Sequence, residues 1–253
     1  MSDSSTLIAR LRRIAVGRDA THAVPPPVDA WLAAGLGRAQ LHDIYAVDDA
    51  DGPSSAGFGI AMAVAAGALP LLWLRTEACE RRHGRLHAAG LIDLGLSAES
   101  LVLGIVADEA ALWRAAADAA RCAGLGTLLV ESTGRAPGLD LTATRRLMLA
   151  AESSGVTILS LRVGAEPTAS AAATRWGIAA LPSVALEAGA PGLPAFDVEC
   201  LRRRGGPAGQ RWRVEWDRDA KNFRGTPLSG AGLSVAADRA AAHHPAAPVR
   251  RTG

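Results

Sequence analysis

The sequence predicts an α/β fold: a mainly parallel sheet flanked by helices, with an antiparallel β-hairpin extension on its C-terminal side. Three observations predict it. Between residues 40 and 164, short apolar runs alternate with helix-length segments, the rhythm of right-handed β-α-β units in a sheet covered on both faces. After residue 170, apolar runs follow one another with no helix between them. Finally, RWRVEWD sets Trp212, Val214 and Trp216 against Arg211, Arg213 and Glu215, the alternation of a half-exposed antiparallel strand.

Residues 4–16 read as an amphipathic helix, with Leu7, Ile8, Leu11 and Ile14 on one side and Arg10, Arg12 and Arg13 off it. The three prolines at 25–27 form an extended, semi-rigid link, so residues 1–27 are an appendage to a core spanning 28–217. VDAWLAAG (28–35) suits a short helix and QLHDIYA (40–46) the first strand. Residues 57–67 fit a helix of small residues, and PLLWLR (70–75) a buried strand. A helix is expected over 79–89, then the strand LVLGIV (101–106), then a helix capped by Asp108 and stopped by Gly124. LGTLLVES (125–132) is again a buried strand, and the helix after it stops at Gly155 and feeds VTILSLRVG (156–164). TRWGIAALPSVALE, FDVECLRRR and RWRVEWD are strands, the last two joined by a hairpin turn in RRRGGPAGQ. Residues 218–253 are expected to be a flexible tail.

Composition bounds the function. The net charge of +2 balances 27 basic against 25 acidic residues, which asks for no polyanionic partner while allowing local basic patches. Three widely spaced cysteines with no C-x-x-C fit reduced thiols in the cytoplasm. The first seventeen residues lack the apolar stretch of a signal peptide, and the longest apolar run (59–74) is short for a membrane span and is split by Pro70. A cytoplasmic protein without a membrane partner is expected.

Residues 50–64, ADGPSSAGFGIAMAV, lie where a strand hands over to a helix. A phosphate-binding loop reads G-x-x-x-x-G-K-[ST]. Gly52 and Gly57 match the two glycines, but Phe58 stands at the lysine and Gly59 at the hydroxyl position. The lysine would meet the β- and γ-phosphates and the hydroxyl the Mg²⁺ ion, and Asp48, Asp49 and Asp51 add negative charge beside any phosphate. No cofactor is expected, with residual ATP binding as the alternative. Cys79, His83 and His87 follow each other at i, i+4 and i+8, but zinc usually takes four ligands and no fourth is evident, so no metal is expected either. There is no G-x-S-x-G elbow to suggest a serine hydrolase.

This order of elements resembles the RecA/RAD-type ATPase core. VDAWLAAGLGRAQLHDIYA is similar to the approach to that family's first core strand. LLWLRTEA resembles the strand ending in its catalytic glutamate, which places Glu77 there, and GTLLVES resembles the Walker B strand, with Glu131 in place of the aspartate. ECLRRRGGPAGQRWRVEW resembles its final β-pair, where Arg202 and Arg204 fall at lysines that reach across a subunit boundary. The family's two DNA-binding loops correspond to TGRAPGLD and RVGAEPTASAA, whose only bases are Arg135 and Arg162.

More narrowly, LDLTATRRLMLAAESSGV, SAAATRWGIAALPS and LRRRGG…RWRVEW, in that order, resemble ImuA, the RecA-like family of the bacterial SOS mutagenesis cassette. That resemblance implies a non-catalytic adaptor, a pseudo-ATPase, in DNA-damage-induced translesion synthesis. Its implied partners are ImuB, RecA and an error-prone C-family polymerase, with DNA binding left open. Two alternatives remain at this stage, a divergent DNA-stimulated ATPase and a SulA-like inhibitor of cell division. Candidate contact residues are Arg10, Arg12 and Arg13 on the first helix, Trp113 beside the apolar stripe of its helix, and the basic run Arg202, Arg203 and Arg204.

Overall fold

The computed structural model describes residues 37–183, 190 and 192–225. Within them nine strands form one sheet: β1 (Leu41–Ala46), β2 (Leu71–Thr76), β3 (Leu101–Val106), β4 (Thr127–Thr133), β5 (Thr157–Val163), β6 (Thr174–Leu181), β7 (Ala195–Arg203), β8 (Arg211–Asp217) and β9 (Asn222–Gly225). The helices are α1 (Gly52–Ala65), α2 (Glu77–His83), α3 (Ala88–Asp93), α4 (Glu109–Ala119) and α5 (Leu141–Ser154). The sheet order is β3-β2-β4-β5-β1-β6-β7-β8-β9. Pairing is parallel from β3 through β6 and antiparallel from β6 to β9.

Strand residues alternate between the two faces, and each face has its own core. One face carries α4 and α5, whose Leu112, Ala116, Leu147 and Ala151 pack on Leu41, Leu74, Leu128 and Ile158. The other carries α1, whose Phe58, Ile60 and Met62 meet Trp73, Leu129, Leu159 and the antiparallel strands. There Phe58, Trp216 and Phe223 form an aromatic cluster, with ring centroids 5.2 Å apart for Phe58–Phe223 and 4.9 Å for Trp216–Phe223. Two caps read from sequence hold, while α4 ends at Ala119, five residues before the expected stop at Gly124. Asp108 accepts from the Ala111 N–H, and Gly155 takes the left-handed conformation (φ 85°) that ends α5.

Three other elements differ from expectation. First, α1 starts at Gly52 instead of residue 57, because Pro53 in the first turn needs no N–H partner and its fixed φ suits a helix start. Its glycines then allow close approach to the sheet: a Cβ on Gly52 would stand 3.2 Å from Val163 Cγ1, and one on Gly59 3.3 Å from Ile44 Cδ1. Second, the single helix over 79–89 is two short ones, broken at Gly84 (φ 82°). Third, the sheet runs on past 217. β9 pairs with β8 and buries Phe223, so the expected tail begins with a strand. The predicted helices at 4–16 and 28–35 and the rest of the tail lie outside the described residues.

Candidate functional site

The link from β1 to α1 is residues 47–51, and it resets the register of the loop motif. A phosphate-binding loop lies between strand and helix, with its G-K-[ST] at the helix start. Here Gly52-Pro53-Ser54 opens the helix, so Gly52 takes the second glycine's place, Pro53 the lysine's and Ser54 the hydroxyl's, while Val47 stands where the first glycine belongs. The assignment of Gly57, Phe58 and Gly59 to the loop is therefore corrected. All three lie inside α1, and Phe58 is fully buried in the core. The residues between are Asp-Asp-Ala-Asp. Their charges serve the protein itself: the Asp51 carboxylate accepts from the Ala180 and Asp48 N–H groups (2.9 and 3.1 Å), and Asp49 pairs with Arg82 of α2.

Beside this link, at the carboxyl ends of β2 and β4, a cavity of about 270 Å³ opens between α1 and the α2–α3 segment. Such a crevice is where open α/β sheets usually bind ligands. Its walls include Gly52, Pro53, Trp73, Arg75, His83 and Glu131. Glu131 sits at the fifth position of β4 and Arg75 at the fifth of β2, on strands paired from Leu71↔Thr127 onward. Their ion pair, Arg75 Nε to Glu131 Oε2, spans 2.7 Å with both side chains buried, though its N–H is not aligned as a hydrogen bond. Trp73 Nε1–H donates to the same oxygen at 3.0 Å.

The other carboxylate oxygen, Oε1, collects two neighbours from α2. The Cys79 thiol donates to it at 2.9 Å, and His83 Nδ1 lies 3.0 Å away. Cys79 Sγ and His83 Nδ1 are themselves 3.5 Å apart. Burial, followed by the Glu131 charge, pushes the Cys79 thiol up to about 12, so the sulfur is protonated and no ready nucleophile. Two features kept apart in the sequence thus meet, the Cys79/His83 pair and the Walker B-like acid. His87 does not join them: the helix ends before it, and it stands at the N-cap position of α3. The signal lay in one charge at an inward position of each apolar strand, since a buried charge needs a partner. Glu77 is exposed and pairs with Arg81 along α2 at 3.4 Å.

The contact candidates are placed as follows. Trp113 is half-buried; its Nε1–H donates to Glu109, and the ring lines a groove between α4 and α5 with Arg114 and Arg146. Arg202 donates to the Ser170 and Ala172 carbonyls and Arg204 to the Ala171 carbonyl, so both pin the segment before β6. Arg203 is half-exposed on the same strand. Arg162 is buried in β5 and donates to the Gly134 carbonyl, which leaves Arg135 as the exposed base of the two loops. Arg10, Arg12 and Arg13 lie outside the described residues.

Among the described residues no helix is long and apolar enough to cross a membrane. No protein-family model matches the chain, and no curated protein does. Among solved structures it is similar to the RadB recombinase, with a TM-score of 0.51 at 11% identity, over 79% of this chain and 97% of that one. At that identity the likeness shows the fold alone, which is RecA-like.

Proposed function

We propose that this chain is a non-catalytic adaptor on a RecA-like scaffold. It acts in the cytoplasm in DNA-damage-induced translesion synthesis, where it contacts ImuB and RecA and, through them, the error-prone C-family polymerase. The observation that carries the non-catalytic part is the β1–α1 link: proline stands at the lysine's place and aspartates fill the turn that would cradle phosphates. Losing one preorganised donor costs about 10²–10³ in rate, and here the charge opposing the phosphates has also changed sign. The Walker B-like acid, Glu131, is engaged by Arg75, Trp73, Cys79 and His83. The partner assignment rests on the resemblance of the three motifs quoted above.

The test is co-purification of the full chain with ImuB and with RecA, alongside calorimetry with millimolar ATP. Retention of either partner without heat of nucleotide binding is the expected result. Retention of neither overturns the adaptor reading. Turnover that Glu77→Gln abolishes would favour the divergent ATPase, and filamented cells on overexpression the division inhibitor.

A further inference from the structure

We infer that Cys79, His83 and Glu131 form a binding site for a zinc-class divalent cation, open to the cavity at its fourth position. The three donors come from only two elements. Cys79 and His83 are one helical turn apart on α2, hence on one face, and Glu131 reaches them from β4. One ligand atom from each lies within 4.8 Å of the others. Thiolate, imidazole and carboxylate together suit zinc, the borderline-soft cation that takes all three. Tetrahedral zinc bonds imply ligand separations of about 3.3–3.6 Å. The Sγ–Nδ1 distance of 3.5 Å already fits, and the two distances to Oε1, 2.9 and 3.0 Å, are those of hydrogen bonds that a cation would replace.

The surroundings are arranged as an outer shell. Trp73 and Arg75 hold Oε2, which fixes the carboxylate and leaves Oε1 turned to the cluster. Arg75 Nη2 lies 3.9 Å from Sγ and 3.4 Å from Oε1, positioned to steady a thiolate. His83 Nε2 is buried with no partner, and His83 lines the cavity. On binding, the thiol proton leaves to solvent and the imidazole proton moves from Nδ1 to Nε2, which frees Nδ1 for the cation. Glu131 and the thiolate offset two of the three positive charges of Arg75 and the cation. The remaining charge favours hydroxide or a small anion as fourth ligand. This site stands independently of the adaptor reading.

Cobalt is the probe, because it takes zinc sites and reports sulfur ligation through a thiolate-to-metal charge-transfer band. The full chain, stripped with chelator, is titrated with Co²⁺ and then with Zn²⁺. The expected result is one equivalent bound with that band, displacement by zinc, and a zinc-dependent rise in Tm. Cys79→Ser should abolish the band. His83→Gln should weaken binding by at least the about 10–100-fold that follows loss of an outer-shell partner. Cys122→Ser, at an exposed thiol, should leave both unchanged. Absence of the band in the wild-type chain, or its persistence in Cys79→Ser, overturns the site and leaves a hydrogen-bonded cluster only. Neither result bears on retention of ImuB or RecA.

Discussion

His42 is a neutral imidazole with both ring nitrogens occupied. Its Nε2 is 2.9 Å from the Gly37 carbonyl, which needs a donor, and its Nδ1 is 2.7 Å from the Thr174 hydroxyl, which itself accepts from Trp176 Nε1–H at 2.7 Å. That chain of donors assigns the Nε2–H tautomer. Burial lowers the His42 pKa from its usual 6.5, with the Gly37 hydrogen bond opposing in part. The unfolded chain therefore binds a proton that the folded one refuses, so stability present above pH 6.5 is lost as pH falls below it. Denaturant titrations between pH 7 and pH 5 should show this slope, and His42→Gln should flatten it. Phe58 gives a second test at this scale. Phe58→Ala should cost about 3–5 kcal/mol in chemical denaturation. Phe58→Lys should fail to fold, whereas Pro53→Lys, at an exposed helix start, should fold, which separates the two loop registers. Removing one partner of the buried pair, as in Glu131→Gln, should cost about 3–5 kcal/mol because Arg75 stays charged and buried. None of this was legible from Phe58 or Glu131 alone. A motif template reads residue types at a spacing, and the spacing was offset by where the helix begins.

The elements were more legible than the residues. β3 matches its expected bounds because LVLGIV is a short apolar run between clear stops, and β8 because its alternation is strict. The break between α2 and α3 was missed because the Cys79–His83 periodicity continues formally to His87, while Gly84 ends the helix. β9 was missed for its length: four residues are too few to show a period, and Phe223 is its one buried side chain. A chain ending after Lys221 should accordingly lose about 3–5 kcal/mol relative to one ending after Gly225, as loss of a core phenylalanine does, and thermal denaturation of the two would show it. The basic run at the end of β7 makes a prediction of its own. Arg202→Ala should destabilise by about 1.5–3 kcal/mol, the range for a hydrogen bond to a charged group. It should do so at any DNA concentration, because its guanidinium holds the chain's own carbonyls.

At the scale of the whole molecule, the division into a parallel half and an antiparallel half could be read from the presence or absence of intervening helices. The strand order could not, since β1 lies between β5 and β6, partners more than a hundred residues away whose choice no local pattern records. The candidate site shares that difficulty, its members drawn from β2, α2 and β4. How the α2–α3 segment is fastened over the cavity has a consequence of its own. Arg82 of α2 pairs with Asp49, and Asp93 of α3 pairs with Arg218 after β8, all four side chains half or more exposed. The more buried ties are Trp216 Nε1–H to the Leu94 carbonyl, Arg75 to the Gly84 carbonyl, and Cys79 and His83 to Glu131. Exposed pairs are screened by salt while buried apolar contacts are not. Raising ionic strength should therefore quicken amide exchange in residues 77–93 while leaving β1, β4 and β5 protected, so that access to the cavity responds to the salt around the protein.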